Sequence, residues 1–265
     1  MNKYLDLPGH GRMYAESEGT GSAIVFVHAD FLDGRMWDGV RARLADRYRT
    51  VAYDKLGFGR SDPAAVPVVR RKELAAVVDD LGLGAFHLVG WSHGGQQALD
   101  FTLEHPSRVQ SLTLVNASPS GWQPRGEMPP LLMEMFAAVQ AGDTATASEL
   151  QLRIWFDGPD RDKTRFSPEL REARRQASVM NRIFVERGTF FLSDPQAPEP
   201  PALSRLAEVK APTLVIDGLW DWSDNRRASR LLAEGIPVAR RIEVDGGHAA
   251  DRKSTRLNSS HESPS

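Results

Sequence analysis

A chain of 265 residues with 41% hydrophobic and 26% charged residues is long enough for one large α/β domain whose core needs no disulfide. The formal net charge of −2 gives no electrostatic reason to expect nucleic acid or an anionic membrane as a partner, and the absence of cysteine excludes disulfides, thiolate catalysis and cysteine metal sites. Because the first residues lack the apolar segment of a secretory signal and no apolar run approaches the roughly 18–20 residues of a membrane span, we expect a soluble, cytoplasmic protein.

The N-terminal part of the chain predicts a hairpin and then two strands of a buried sheet. Residues 4–8 and 12–18 alternate apolar and polar side chains around a Gly-His-Gly turn, which is typical of a hairpin. Residues 23–28 (AIVFVH) form a near-continuous apolar run, as expected of a parallel strand that is buried on both faces. The next strand, 51–54, ends in a glycine-rich turn at 54–61. This turn lacks the dinucleotide pattern and does not lead directly into a helix, so we set phosphate binding aside.

Residues 86–95 (FHLVGWSHGG) predict a strand, a sharp turn and the start of a helix. An apolar segment runs into Gly90-Trp91-Ser92-His93-Gly94, a Gly-x-Ser-x-Gly pattern, and a helical segment to Glu104 follows directly. This arrangement is typical of a nucleophile elbow, in which a strained turn pushes the serine hydroxyl out of the backbone toward a histidine. Since short glycine–serine patterns also occur in ordinary turns, the interpretation depends on finding the other catalytic components elsewhere in the chain.

Strands alternate with helices through the first 120 residues and again near the C-terminus. Helical spacing over 66–83 precedes the elbow, and further strands are predicted at 109–115, 213–217 and 240–244. This alternation predicts an α/β fold with a doubly wound, mostly parallel sheet. In such sheets ligands bind at the carboxyl ends of the strands, where Ser92 also lies.

The segment 121–205 has a different character, because strand-like runs give way to helical stretches that are rich in methionine and aromatic residues. The stretches lie at 130–141, 144–156 and 168–187, and a proline-rich linker at 194–201 closes the segment. We interpret it as an inserted helical cap that covers the carboxyl edge of the sheet. Its soft and aromatic side chains suit an apolar, adaptable pocket.

This interpretation divides the chain into four parts. Residues 1–120 form the first part of the α/β core, 121–205 the cap, and 206–250 the second part of the core. Residues 251–265 are rich in serine and charge and show no periodicity, so we interpret them as a non-native tail and exclude them from the fold.

A serine nucleophile needs a histidine base, and His248 fits that role best among the seven histidines. It lies in a glycine-flanked loop after the last predicted strand, where it can reach across the edge of the sheet. His93 is next to the serine in sequence, but its side chain should diverge from Ser92 at the start of a helix. The backbone N–H groups of His93 and Asp30 are the expected donors of the oxyanion hole.

The acid that orients the histidine is expected in a loop before His248, and Asp221 fits this position. Asp224 is better explained as the N-cap of the following helix, and Asp217 belongs to the strand itself. The other common acid position, after the strand that ends at Val115, holds Asn116 and no carboxylate. The predicted triad is therefore Ser92, Asp221 and His248.

With these residues in place, the chain resembles the α/β-hydrolase fold superfamily, in its group of esterases, lactonases and peroxidase-like enzymes with a helical cap. The triad order serine, aspartate, histidine matches that superfamily. The matching segments extend from about Tyr4 to Ala250 and include His28-Ala29, Arg35-Met36-Trp37, Tyr53 to Ser61, Gly90 to Gly95, Gly218 with Asp221, and Gly247-His248.

The resemblance implies hydrolysis of a small or medium carboxylic ester or lactone through an acyl-enzyme on Ser92, without a cofactor or a metal. Serine at the elbow argues against dehalogenases and epoxide hydrolases, which use aspartate there. Relatives with the same triad also cleave carbon–carbon bonds of ring-fission products, make peracids without a cofactor, or act as non-enzymatic small-molecule receptors. These alternatives and the oligomeric state stay open.

Six aromatic side chains are candidates for contact with the substrate, although any one of them could instead pack the cap against the core. They are Phe31, Trp91, Trp122, Trp155, Phe156 and Trp220.

The sequence departs from the family pattern at two places. Members usually carry glycine where Ala29 stands, so Ala29-Asp30 could tilt the oxyanion loop or place a carboxylate near the mouth of the site. Members also carry a helix after the catalytic histidine, and here the tail takes its place. We therefore expect one face of the sheet to lack its cover and the protein to be less stable than a chain that keeps this helix.

Overall fold

The computed structural model describes residues 1–64, 67–125, 130–158, 166–188 and 198–248. Residues 194–197 of the predicted linker lie outside these ranges, and the tail at 251–265 lies wholly outside them. Within the described ranges, no helix combines the length and the apolar character that crossing a bilayer requires.

An eight-stranded sheet forms the centre of the fold, with strand order β1-β2-β4-β3-β5-β6-β7-β8. β2 pairs antiparallel with both β1 and β4, and every other neighbouring pair is parallel. This confirms the predicted doubly wound, mostly parallel sheet. The strands are β1 (Asn2–Leu7), β2 (Gly11–Glu18), β3 (Ala23–Val27), β4 (Arg49–Tyr53), β5 (Phe86–Trp91), β6 (Val109–Val115), β7 (Thr213–Gly218) and β8 (Ala239–Val244).

Seven α-helices accompany the strands in the described ranges. They are α1 (Asp38–Leu44), α2 (Arg70–Asp80), α3 (His93–Glu104), α4 (Pro130–Gln140), α5 (Thr144–Gln151), α6 (Pro168–Glu186) and α7 (Ser223–Gly235). A 3₁₀ turn, Gly34–Trp37, precedes α1, and a π-helical turn, Leu152–Asp157, continues α5.

Each face of the sheet packs into its own apolar layer because alternate strand residues point to opposite sides. In β3 all five residues are buried; Val25 points into the layer that contains Leu74 of α2 and Leu99 of α3. Its neighbour Phe26 points into the layer formed with the cap helices and with Trp37. A strand with apolar residues at every position therefore lies in the middle of the sheet, as its sequence predicts.

The helix predicted over 66–83 is shorter than expected, since α2 begins at Arg70 and ends at Asp80. Val69 has an extended backbone, and Pro67 disfavours helical geometry in the residue before it. Ala65 and Val66 lie outside the described residues. Gly82, with φ of +62°, follows the end of the helix as its sequence position indicates.

The cap helices α4, α5 and α6 lie between β6 and β7 in the chain and pack against one another. Asp143 and Ser167 cap α5 and α6, because their side chains accept hydrogen bonds from Thr146 N and Leu170 N. The stretch predicted as one helix over 144–156 changes to a π-helical turn after Gln151. Apolar side chains of these helices share one layer with Phe26 of β3 and Trp91 of β5, so the cap packs on that side of the sheet.

Candidate active site

Ser92 occupies a strained turn between β5 and α3. Its backbone has φ of 55° and ψ of −124°, a region that non-glycine residues rarely adopt. Ser92 N donates to Val115 O at 2.8 Å, and Ser92 O accepts from Gly95 N at 2.9 Å. A Cβ atom on Gly90 would lie 2.4 Å from the carbonyl oxygen of Gly94, so only glycine allows strand and helix to pass this closely.

The structure brings Ser92, His248 and Asp221 into one hydrogen-bonded chain. Ser92 Oγ donates to His248 Nε2 at 2.8 Å, and His248 Nδ1 donates to Asp221 Oδ2 at 2.7 Å. Both Asp221 and His248 are buried. Because the carboxylate holds the proton on Nδ1, the lone pair of Nε2 faces the serine hydroxyl, which is the tautomer that can accept the serine proton.

The second carboxylate oxygen of Asp221 is also held. Asp221 Oδ1 accepts from Trp222 N at 2.7 Å and from Asn225 Nδ2 at 3.0 Å. Asn225 Nδ2 also lies 3.3 Å from His248 Nδ1. Asn225 follows Asp221 by one helical turn, a spacing that could have drawn attention to it in the sequence.

The two neighbouring aspartates have structural partners elsewhere. Asp217 is fully buried and accepts from Arg241 at 2.8 and 3.0 Å. Asp224 accepts from Arg125 N at 3.2 Å and pairs with Arg227. The prediction that Asp224 is an N-cap is wrong, because α7 begins at Ser223 and places Asp224 inside its first turn.

The loop that carries His248 is fixed through its backbone. His248 O accepts from Trp91 Nε1 at 2.8 Å and from Asn116 Nδ2 at 2.5 Å. Asn116 Oδ1 in turn accepts from Gly218 N at 2.8 Å, so this one side chain joins the ends of β6 and β7 to the histidine loop. A Cβ atom on Gly218 would lie 2.2 Å from the carbonyl oxygen of Gly247. Sequence reasoning missed this role of Asn116, whose φ of 45° and position just after a strand are its local signals.

A cavity of about 370 Å³ opens above Ser92 between the cap and the sheet edge. Its wall is mostly apolar, with a few polar side chains, as is usual for small-molecule sites. Of the predicted aromatic contacts, Phe31 and Trp155 lie in this wall, with ring centroids 6.2 and 5.3 Å from that of His248. The lining residues are Asp30, Phe31, Phe58, Arg70, Ser92, His93, Leu132, Met135, Phe136, Gln151, Trp155 and Phe184.

The other four predicted aromatic contacts lie elsewhere. Trp91 is buried behind the site and supports the His248 loop. Trp122 lies against the guanidinium of Arg227, 4.1 Å from its ring centroid. Trp220 is 46% exposed and donates to Asp245 at 2.7 Å. Phe156 is buried in the apolar layer of the cap. Only the packing of cap and loops decides which aromatic residues face the cavity, and the sequence does not display that packing.

The loop after β3 carries the other predicted oxyanion donor. Residues 29–32 form a turn in which Leu32 N donates to Ala29 O at 3.4 Å. His28 beneath it is fully buried; its Nδ1 donates to Ala29 O at 2.7 Å, and its Nε2 accepts from Lys55 N at 3.0 Å. Burial, together with the nearby Lys55 charge, lowers the pKa of His28 well below its usual range, so the ring is neutral.

Asp30 places a carboxylate at the mouth of the cavity. One of its oxygens pairs with Lys55 Nζ, and the other accepts from His93 Nδ1. Partial removal from water opposes ionisation of Asp30, but His93 and Lys55 outweigh this effect and hold the pKa of the carboxyl well below its usual range. Burial in turn lowers the pKa of the Lys55 ammonium, and Asp30 offsets part of that effect.

A buried polar network connects the cap to the same loop. Asn181 of α6 donates to Phe31 O at 3.2 Å, accepts from Ser148 Oγ at 2.6 Å, and donates to Gln151 Oε1. Asn181 is fully buried, so these bonds satisfy polar groups that water cannot reach. The cap and the loop of Asp30 are therefore linked by hydrogen bonds as well as by apolar contacts.

A parallel sheet with a serine elbow and a cap between β6 and β7 defines the architecture of an α/β hydrolase. The family model for the alpha/beta hydrolase fold matches residues 22–250, and the chain belongs to that family. The predicted fold and hydrolase class are confirmed.

Two curated relatives and one solved structure illustrate the different reactions that proteins similar to this chain catalyse. The 2-hydroxy-6-oxononadienedioate/2-hydroxy-6-oxononatrienedioate hydrolase of Burkholderia vietnamiensis is 29% identical over 82% of this chain and 78% of its own length. The pimeloyl-[acyl-carrier protein] methyl ester esterase of Aeromonas hydrophila is 29% identical over 87% of this chain and 89% of its own. Est816, an N-acyl homoserine lactone degrading enzyme, has a TM-score of 0.70 at 27% identity, with 93% of each chain covered.

Proposed function

We propose that this protein hydrolyses a small or medium, uncharged carboxylic ester or lactone through an acyl-enzyme on Ser92. The observation that carries this proposal is the hydrogen-bonded chain from Ser92 Oγ through His248 to Asp221, with distances of 2.8 and 2.7 Å. Ser92, at one end of these hydrogen bonds, lies at the floor of a mostly apolar cavity, where an acyl group can be held.

In the first half-reaction Ser92 Oγ attacks the carbonyl carbon while His248 Nε2 accepts the hydroxyl proton. Asp221 stabilises the imidazolium that forms. The tetrahedral oxyanion is held by the N–H groups of Asp30 and His93, each worth roughly 3–4 kcal/mol in a dry site. His93 N is suited to this role because the first N–H groups of a helix have no partner within the helix.

When the tetrahedral intermediate collapses, the C–O bond breaks and the leaving alcohol takes the proton from His248. A water molecule then attacks the acyl-enzyme with His248 as the base, which releases the acid and restores Ser92. We assign the cap, which the sequence predicts at 121–205, the task of keeping bulk water out of the cavity.

Charge at the cavity favours an uncharged substrate over the carboxylate-bearing products of ring fission. Of the described residues that line the cavity, Arg70 is the only one with a permanent positive charge. Its guanidinium donates to both oxygens of Glu73 at 3.0 and 3.1 Å and to Leu56 O at 3.0 Å. A substrate carboxylate would have to compete with this buried ion pair for the positive charge of Arg70, which is costly. This favours an ester or lactone over a carbon–carbon hydrolase substrate.

Labelling with a fluorophosphonate probe tests the nucleophile. We expect the wild type to label and Ser92→Ala to remain unlabelled. Ser111→Ala is a matched control, because Ser111 Oγ also contacts a histidine, His87 Nδ1 at 2.8 Å, but away from the cavity. It should label like the wild type. An unlabelled wild type would contradict the assignment and favour a non-enzymatic receptor. Equal labelling of Ser92→Ala would contradict it by showing that the reactive nucleophile is another residue.

A substrate panel separates the enzyme classes that share this triad. It contains p-nitrophenyl esters, lactones, ring-fission dienoates, and a carboxylic acid with hydrogen peroxide. We expect the highest kcat/KM with an uncharged ester or lactone. A preference for a dienoate would show that Arg70 or another cation is available to a substrate carboxylate, and peracid formation would indicate a perhydrolase.

A further inference from the structure

The two residues that are expected to hold the oxyanion also touch through their side chains. His93 Nδ1 and Asp30 Oδ2 are hydrogen-bonded at 2.5 Å, and both side chains line the cavity beside Ser92. Asp30 belongs to the loop after β3, while His93 is the first residue of α3. The contact therefore bridges the two separate elements that carry the expected oxyanion donors.

The bridge is anchored in the protein core. The second oxygen of Asp30 pairs with Lys55 Nζ, and Lys55 is fully buried. Lys55 Nζ lies 4.9 Å from the ring centroid of Phe58, and Lys55 N donates to His28 Nε2 at 3.0 Å. The Asp30 and His93 side chains are 42% and 33% exposed, whereas their anchor does not reach the solvent. Lys55 therefore holds the Asp30 carboxylate from the side of the protein core.

The loop is also held by hydrogen bonds from Asn181 to Phe31 O and from His28 Nδ1 to Ala29 O. Its own turn is closed by a long hydrogen bond of 3.4 Å from Leu32 N to Ala29 O. Donors of an oxyanion hole must lie within 2.7–3.1 Å of the developing charge, and a displacement of about 1 Å can cost roughly 100-fold in rate. A side-chain contact that ties the loop to the start of α3 bears directly on that geometry.

We propose that the bridge between Asp30 and His93, anchored on Lys55, holds the two backbone N–H donors of the oxyanion hole at their working separation. Asp30 and His93 are then positioning residues through their side chains, in addition to the role of their backbone N–H groups. This inference rests on the proposed serine hydrolase function.

Two substitutions of His93 separate positioning from proton transfer. His93→Ala removes the bridge, whereas His93→Asn keeps an N–H donor near the place of Nδ1. We expect His93→Ala to lower kcat on a p-nitrophenyl ester by roughly 10–100-fold with KM within about threefold, and His93→Asn to restore most of that loss. His87→Ala is the control, since His87 is also hydrogen-bonded and lies on β5 away from the cavity. It should keep kcat.

The carboxylate side of the bridge needs a paired change. Asp30→Ala alone would leave the buried Lys55 ammonium without its counter-charge, which is expensive. The double variant Asp30→Ala/Lys55→Met removes both charges. We expect it to lose kcat by a factor similar to that of His93→Ala, and adding His93→Ala to it should cause little further loss because the bridge is already absent.

Inhibition by an aryl trifluoromethyl ketone reports on the oxyanion hole itself, because its adduct with Ser92 carries an oxyanion. In the bridge variants its inhibition constant should rise by the same factor as kcat/KM falls, while thermal melts show a folded protein. Unchanged kcat in both His93→Ala and the double variant would overturn the proposal. So would a His93→Asn variant as impaired as His93→Ala, which would make the imidazole a proton carrier. An unlabelled wild type would instead refute the serine hydrolase assignment.

Discussion

Asn116→Asp is a nearly isosteric change that tests how the His248 loop is held. The aspartate keeps an oxygen that can accept from Gly218 N at 2.8 Å. It replaces the donor Nδ2 with a second oxygen, which would face His248 O at 2.5 Å and Gly247 O at 3.3 Å. At neutral pH the variant therefore places a buried negative charge against two carbonyl oxygens.

Two changes at these contacts should lower the free energy of unfolding. The lost hydrogen bond accounts for about 1 kcal/mol, and burying a carboxylate beside two acceptors adds roughly 2 kcal/mol or more. A destabilisation of about 3 kcal/mol corresponds to a fall in Tm of roughly 6–12 °C for a chain of this size. Because the same loop carries His248, we also expect kcat on a p-nitrophenyl ester to fall at least about tenfold.

Thermal melts and ester kinetics at neutral pH measure both effects. Asn2→Asp adds the same charge at an exposed position on β1 and should leave Tm and kcat near their wild-type values. Below the pKa of the new carboxyl the variant regains a donor, so part of the lost stability should return on acidification. An Asn116→Asp protein with wild-type Tm and kcat would refute the account of how the histidine loop is fixed.

Three further predictions concern other parts of the site and its support. Burial raises the pKa of Asp100 to about 6, so the folded state binds this proton more tightly than the unfolded chain, and the stability that the proton contributes is lost as the pH rises from about 4 to about 6. Asp100→Asn, which cannot ionise, should gain on the wild type by up to roughly 3 kcal/mol across that range, and parallel stability curves would contradict this. Asn181→Ala should lower the free energy of unfolding by about 1–3 kcal/mol and reduce kcat more than it raises KM; a change in KM alone would disconnect the cap from the oxyanion loop. Gly218→Ala should abolish most activity because its Cβ would meet Gly247 O at 2.2 Å, whereas Gly84→Ala has open space and should remain active; an active Gly218→Ala enzyme would show that the loop can shift freely.

Local patterns in the sequence account for much of the fold. The apolar run at 23–28 becomes a strand, Ala23–Val27, that is buried on both faces, and the predicted strand over 109–115 forms as Val109–Val115. The elbow is predictable because its strain and its glycines lie within six residues. The predicted helix over 66–83 is longer than α2 because its apolar spacing includes residues before Arg70. The chain there is not helical, since Val69 has an extended backbone and Pro67 disfavours helical geometry in the residue before it.

The site was predictable only where its residues carry local signals. Ser92, Asp221 and His248 follow strands or glycines, and the structure brings them within hydrogen-bonding distance, while their catalytic roles stay predictions. Asn116 contacts a backbone carbonyl 132 positions away, and Asn181 one that is 150 positions away. No short-range pattern marks such partners, since they exist only after the sheet and cap have packed.

The six aromatic candidates show the same limit. Phe31 and Trp155 line the cavity, but Trp122 and Trp220 lie against charged groups outside it. An aromatic residue in a loop or a cap helix carries the same sequence signal in either case. Whether the aromatic side chain faces the cavity depends on how the cap packs against the sheet, which is a property of the tertiary structure.

Trapping the acyl-enzyme tests whether Ser92 is the nucleophile. The enzyme is mixed with p-nitrophenyl acetate, quenched in acid within the burst phase, digested and analysed by mass spectrometry. We expect an acetyl group on the peptide that contains Ser92 and none in Ser92→Ala, which should also lose hydrolysis. Turnover without a covalent adduct, or an adduct and activity that survive in Ser92→Ala, would contradict this expectation.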